Sequence, residues 1–239
     1  MPGPTRTTSG ARSIDVAAGD LLLSGDLTLP AGAAAIVLFA HGSGSSRLSP
    51  RNRLVATQLS RAGLATLLFD LLTPAEEEED RSSGALRFDI PLLAERLVRA
   101  TDFVRGHSET RKLAIGYFGA STGAAAALIA AAERPDDVRA VVSRGGRPDL
   151  AEDALERVSA PTLLIVGGAD HPVVELNARA HARLGGRKHL EIVAGATHLF
   201  EEPGALEEVT RLARDWFVRF LVEEPAPIGL LEQPGHEAS

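Results

Sequence analysis

Ser121, Asp170 and His198 are the side chains of this sequence that together could perform nucleophilic chemistry. A serine hydroxyl attacks a carbonyl only when a base takes its proton. The usual base is a neutral imidazole, held in one tautomer by a carboxylate. Ser121 stands in Gly119-Ala120-Ser121-Thr122-Gly123, between an apolar run ending at Phe118 and an alanine-rich run, Ala124 to Ala132. Small neighbours suit a tight strand-to-helix turn that presents the hydroxyl above a sheet. Gly-x-Ser-x-Gly alone is a weak signal in a chain with 23 Gly, so its surroundings must carry the argument. Asp170 follows Val166-Gly167-Gly168, and His198 follows Gly195-Ala196-Thr197. Each comes just after an expected strand, so all three are expected at strand ends.

A tetrahedral oxyanion needs two N–H donors. The backbone N–H of Thr122, at a helix start directly after the serine, is one candidate. Gly-rich His41-Gly42-Ser43-Gly44 supplies the second, the N–H of Ser43, with His41, Gly42, Gly44, Gly119 and Gly123 in support. Other readings compete. Ser121 can be an ordinary turn residue and Asp170 a helix cap, and Asp149 or Asp70 can hold the histidine instead. His41 is expected to brace its own loop. His171 adjoins Asp170 but points elsewhere. His107, His181 and His189 sit in helical or linker contexts, and His236 in the tail. Arg51, Asn52, Arg144 and Phe200 lie close enough in sequence to these loops to be substrate contacts. Surface and capping roles are as plausible for Arg51 and Asn52.

The elements that must position these residues read as alternating strands and helices. Ser13 to Ala17 and Leu21 to Leu29 form two strands around Gly19-Asp20, with a bulge or bend expected at Gly25. Ala33 to Ala40 and Leu64 to Phe69 are continuous apolar runs, as in a parallel sheet covered on both faces. A helix opens at Ser49-Pro50 with Leu54, Val55, Leu59 and Ala62 inward, and ends at Gly63. Leu71 to Phe88 reads as a loop, and its acidic run Glu76 to Asp80 as a solvated stretch, or less simply as a device rejecting anionic substrates. Asp89 caps a long amphipathic helix. Strands follow at 113–118, 138–143, 163–167 and 190–193, with short helices from about Leu150 and Val173. A last helix from Gly204 to Val222 buries Leu206, Val209, Leu212, Trp216, Phe217 and Phe220. This alternation implies an α/β fold, a doubly wound, mostly parallel sheet with right-handed crossovers and an antiparallel edge.

At 239 residues and 44% hydrophobic content the chain suits one α/β domain, expected over residues 13–223. Residues 1–12 read as a lead-in, and 224–239, with three prolines, as a mobile tail. A net charge of −7 argues against nucleic acid as a partner. The absence of Cys excludes a thiol nucleophile and thiolate metal sites. No secretory signal and no run of membrane-spanning length is read, so the expectation is a cytoplasmic protein without a membrane partner.

With these residues in place the chain resembles the α/β-hydrolase superfamily, and its dienelactone hydrolase-like branch most. The stretches that carry the resemblance are His41-Gly42-Ser43-Gly44, Phe69-Asp70-Leu71-Leu72-Thr73, Gly119-Ala120-Ser121-Thr122-Gly123, Gly167-Gly168-Ala169-Asp170 and Gly195-Ala196-Thr197-His198-Leu199-Phe200, and the order Ser121, Asp170, His198 agrees. They span roughly residues 13–222. One departure matters: dienelactone hydrolases use a cysteine where Ser121 stands, so their acidic lactone substrate is not carried over. The resemblance implies a cofactor-free, metal-free serine hydrolase, foremost a carboxylesterase. With no room for a large cap domain, an open site roofed by loops suits small or short-chain acyl esters. Lactone, thioester or amide hydrolysis and acyl transfer use the same triad, and a non-catalytic scaffold is a third reading. Trp216, Phe217 and Phe220 can serve a homodimer or, equally, core packing.

Overall fold

The computed structural model describes residues 10–224. The expected lead-in and tail fall almost entirely outside them, as does His236. The core is an eight-stranded sheet in the order β1-β2-β4-β3-β5-β6-β7-β8. The strands are β1 (Arg12–Ala18), β2 (Leu21–Thr28), β3 (Ala35–Ala40), β4 (Ala65–Phe69), β5 (Ala114–Ala120), β6 (Val138–Arg144), β7 (Thr162–Gly167) and β8 (Lys188–Val193). β1 pairs antiparallel with β2, and β2 with β4; every other pairing is parallel. This is the doubly wound sheet with an antiparallel edge that the apolar runs predict.

The pattern of β3 shows why such runs are needed. Ile36, Leu38 and Ala40 join one core, and Ala35, Val37 and Phe39 the other. Successive residues of a strand point to opposite faces, so a strand covered on both sides must be apolar throughout. One face is covered by α3 (Ile90–Gly106), α4 (Thr122–Glu133) and α5 (His171–Arg183), the other by α1 (Pro50–Arg61) and α6 (Ala205–Val218). α4 is nearly all small residues because it is buried almost all round, with Ala124 to Leu128 fully buried.

Three expectations need correction. Gly25 makes no bulge: it pairs in register with Ile14 and Phe69, and a side chain there would meet Val16, Ile14 and Leu67 at 3.1–3.3 Å. Leu54 is 37% exposed; the inward face of α1 carries Asn52, Val55, Ala56 and Leu59. The stretch 71–88 is not a bare loop. It holds α2 (Pro74–Ser83) and a 3-10 turn at Leu86–Phe88. Thr73 and Glu76 close a reciprocal capping box at the start of α2, with Pro74 in its first turn. The acidic run is therefore helical. Asp80 is buried and binds Arg87 and the Leu86 N–H, and Glu76 pairs with buried Arg96 of α3 at 2.7 Å. This docked helix walls the cavity beside the loop His41–Ser46.

Candidate active site

The chain leaves β3 toward β4 on one side of the sheet, and leaves β5 toward β6 on the other. Where the winding reverses, the loops after two neighbouring strands diverge and open a crevice at their carboxyl ends. The loop after β3 holds Gly42 and Ser43, and the turn after β5 holds Ser121. Ala40 pairs directly with Gly119, which sets these two segments side by side.

Ser121 adopts φ 50° and ψ −122°, a conformation that non-glycine residues rarely take. Its neighbours make the turn possible. A Cβ on Gly119 would lie 2.4 Å from the Ala124 Cα, and one on Gly123 would lie 2.3 Å from the Ala40 carbonyl oxygen. A Cβ on Gly42 would approach the Ser121 Cβ to 3.0 Å. The Ser121 N–H donates to the Arg144 carbonyl at 3.2 Å, and its own carbonyl accepts from the Arg147 N–H at 3.0 Å. The strained turn is thus held by β6 on one side and wedged by glycines on the other.

His198 Nδ1 lies 2.7 Å from Asp170 Oδ2. Asp170 occupies the N-cap position of α5, yet its side chain makes no cap hydrogen bond and turns to the imidazole instead. That removes the capping reading of this residue. The rival carboxylates are engaged elsewhere: Asp149 with Arg147 at 2.8 Å, and Asp70 with the side chain of Arg47 and, at 2.7 Å, its backbone N–H. The loops carrying Asp170 and His198 are stitched together, with the Ala169 N–H donating to the Ala196 carbonyl at 2.9 Å. Gly167 allows the approach, since a Cβ there would lie 2.4 Å from that same carbonyl oxygen. Glu202 clamps the loop by accepting the Thr197 N–H at 3.1 Å, a bond that lowers its own pKa. Gly145, at φ 52°, fits against His198; a Cβ there would lie 2.9 Å from the His198 carbonyl oxygen and 3.8 Å from its ring.

His41 is fully committed. Its Nε2 accepts from the Leu71 N–H at 3.0 Å, so the ring proton sits on Nδ1 and is donated to the Gly42 carbonyl at 3.0 Å. Burial lowers its pKa, keeping it neutral. It braces the Gly42–Gly44 loop, as the sequence suggested. The other histidines lie apart: His171 opens α5 on the surface, His107 caps α3 and stacks on Phe103, and His189 binds Glu191 on β8.

The candidate oxyanion donors differ from expectation in one respect. The Thr122 N–H sits in the first turn of α4, where no intrahelical acceptor exists. The Ser43 N–H donates to the Thr122 hydroxyl at 2.9 Å. This bond ties the two candidate donor segments to each other and was not foreseen. A cavity of about 470 Å³ runs alongside, lined by His41 to Ser46, Leu72, Glu77, Arg81, Arg87 and Leu93. Partial burial, and then the charge of Asp70, raises the pKa of Glu77 on its wall.

The proposed substrate contacts divide. Phe200 is buried in the core at 1% exposure with φ 57°, so it anchors the histidine loop and offers no surface to a ligand. Arg51 pairs with Glu201 at 3.2 Å. Asn52 is buried with its Oδ1 unpartnered, and Arg144 is buried with Nε and Nη1 unpartnered. Among the described residues no cluster of three His, Asp or Glu is placed to hold a metal ion, and no helix is long and apolar enough to cross a membrane.

The dienelactone hydrolase family model matches residues 23–221. The crystal structure of a dienelactone hydrolase from Anabaena variabilis superposes with a TM-score of 0.87 at 60% identity, covering 88% of this chain and 98% of that one. Est1E from Butyrivibrio proteoclasticus, at 17% identity, shares the fold with a TM-score of 0.73, covering 88% of this chain and 98% of that one. Proteins from two strains of Mycobacterium tuberculosis, provisionally named phosphoribosyl transferases, are 58% identical over 216 residues, 90% of this chain and 48% of their own length. The chain thus spans about half the length of those relatives. With its sheet, its strained serine turn and a family match over nearly its whole described length, the chain belongs to the dienelactone hydrolase family of α/β-hydrolases.

Proposed function

We propose that this hydrolase is a serine carboxylesterase that cleaves small or short-chain acyl esters through an acyl-Ser121 intermediate. The observation that carries the reading is Asp170: it stands where a helix cap belongs but gives its carboxylate to His198. In this scheme His198 Nε2 takes the Ser121 proton as Oγ attacks the ester carbonyl. The imidazolium, steadied by Asp170, then protonates the leaving alcohol, and the same base activates water to release the acid. The oxyanion is met by the Thr122 N–H and by the Ser43 N–H, the latter shared with the Thr122 hydroxyl. The transferase name belongs to proteins about twice this length, and the family model over the matched residues is a hydrolase model, which supports hydrolysis over transfer. Lactones and thioesters are substrates of the same chemistry.

The test is p-nitrophenyl acetate hydrolysis and fluorophosphonate labelling, with wild type and Ser121→Ala side by side. Both signals are expected in wild type and neither in the variant. Labelling or full turnover that survives in Ser121→Ala would move the nucleophile elsewhere.

A further inference from the structure

Arg144 ends β6 directly beside the serine turn. Its carbonyl accepts the Ser121 N–H, and its neighbour Gly145 packs against His198. Residues of a strand alternate in direction, and Ala140 and Val142 face the core shared with α1 and α6. Arg144 points the same way, toward the start of α1, where Arg51 and Asn52 lie.

The guanidinium there is anomalous. Arg144 is 6% exposed, it forms no ion pair or side-chain hydrogen bond among the described residues, and its Nε and Nη1 are sealed from solvent. The nearest charge acting on it is another cation, Arg51. Glu201, with its side chain 66% exposed, answers Arg51 at 3.2 Å and is not among the charges acting on Arg144. Asn52 Oδ1 is also buried without a partner, but a neutral amide cannot offset a charge. Burial and Arg51 lower the Arg144 pKa to about 10, so it stays protonated at neutral pH. A buried charge with no counter-ion costs stability. Arg144 pairs across the sheet with Ala120, the residue before Ser121, so its backbone lies one strand spacing, about 4.8 Å, from the serine turn.

We infer that Arg144, backed by Arg51, is the specificity residue of this site and holds an oxyanion group, carboxylate or phosphate, on the substrate. The inference rests on the hydrolase reading only for where the scissile bond lies. It makes the preferred substrate a charged ester instead of a plain alkyl ester. Of the acidic residues of α2, Glu76 and Asp80 are paired with Arg96 and Arg87, while Glu77 stands on the cavity wall.

Three measurements test it. The first is kcat/KM for phenyl butyrate, monophenyl glutarate, 3-carboxyphenyl butyrate and 3-phosphonooxyphenyl butyrate. The wild type is expected to favour at least one charged ester over the neutral one by about 10- to 100-fold, the range for a hydrogen bond to a charged group. In Arg144→Gln that ratio falls to near one, mainly through KM, and Arg144→Lys recovers part of it. Which charged ester leads distinguishes carboxylate from phosphate, and acyl side from leaving-group side. The second is calorimetric titration with glutarate and with inorganic phosphate. One of them is expected to bind to wild type and Ser121→Ala, and not to Arg144→Gln. A wild type that binds neither anion and shows no charged-ester preference overturns the inference, as does a preference that persists in Arg144→Gln. If no ester is hydrolysed and Ser121 is not labelled, the esterase reading fails and the titration alone decides the subsite. Thermal melting separates a structural role: Arg144→Gln should melt at or above the wild-type temperature, whereas a melting temperature that falls while the ratio holds would make Arg144 a scaffold residue.

Discussion

Replacing Asp170 by Asn separates a catalytic carboxylate from a capping one. Asn caps helices as well as Asp does, and it is the same size, so α5 should not notice the change. The imidazole should. In the transition state His198 becomes a cation with the Asp170 oxygen 2.7 Å from Nδ1. With charge centres about 3.5 Å apart and an effective dielectric of about 20, the attraction is about 5 kcal/mol. The His198 side chain is 38% exposed, so solvent screening trims this to about 3 kcal/mol, or about 100-fold in rate. An amide also offers its NH2 to Nδ1 and so favours the tautomer whose Nε2 carries the proton, which removes the base. Together these predict a fall in kcat of about 1,000- to 10,000-fold with KM little changed. The assay is p-nitrophenyl acetate turnover across pH 5–9, with fluorophosphonate labelling rate and a thermal melt on the same preparations. A variant that melts like wild type and keeps kcat within about threefold would refute the reasoning, because Asp170 would then be irrelevant to His198.

Three further outcomes follow from the same geometry. Gly123→Ala places a methyl 2.3 Å from the Ala40 carbonyl and 2.4 Å from the His41 carbonyl, and should cost about 3 kcal/mol or more in urea unfolding. Thr122→Val leaves the Ser43 N–H without its 2.9 Å acceptor, so kcat should fall about tenfold as the loop loosens, with stability down by about 1–2 kcal/mol. His41 has an ordinary pKa of 6.5 that burial lowers in the folded chain, so below that pH the unfolded chain binds the extra proton; its contribution to stability is full above about pH 6.5 and is lost as pH falls toward the folded value. His41→Gln should flatten that part of a stability–pH curve measured by urea titration.

What the sequence made legible depended on how local the cause was. The strands buried on both faces announce themselves, because only an apolar residue is tolerated at every position. Ser121 and Asp170 are legible because each follows such a strand, whereas His198 follows the half-exposed edge strand β8 and is marked by the Gly195-Ala196-Thr197 turn before it. α2 reads as a loop from the sequence although Thr73-Pro74-Ala75-Glu76 is a capping box. Five consecutive acidic residues outweighed it, yet the helix is stable because Glu76 and Asp80 find Arg96 and Arg87, partners that lie 20 and 7 residues away. Phe200 looked like a site residue because it follows His198 so closely. Its backbone turns through φ 57° and drives the ring into the core, which no spacing rule reveals.

Arg144 shows the limit most sharply. In the sequence it is one of 25 basic residues, and an arginine after a strand is normally solvated and matched by a nearby acid. Its importance lies in what is missing around it, and that depends on three elements distant in the chain. β6 sets its direction, α1 brings a second cation instead of a carboxylate, and the loop after His198 spends Glu201 on that cation. Local pattern rules describe which contacts a residue can make; they do not describe a contact that every neighbour fails to make. An unpaired buried charge is therefore visible only once the elements are assembled. It is also a more specific guide to substrate chemistry than the proposed triad, whose kind serves hydrolases of many specificities.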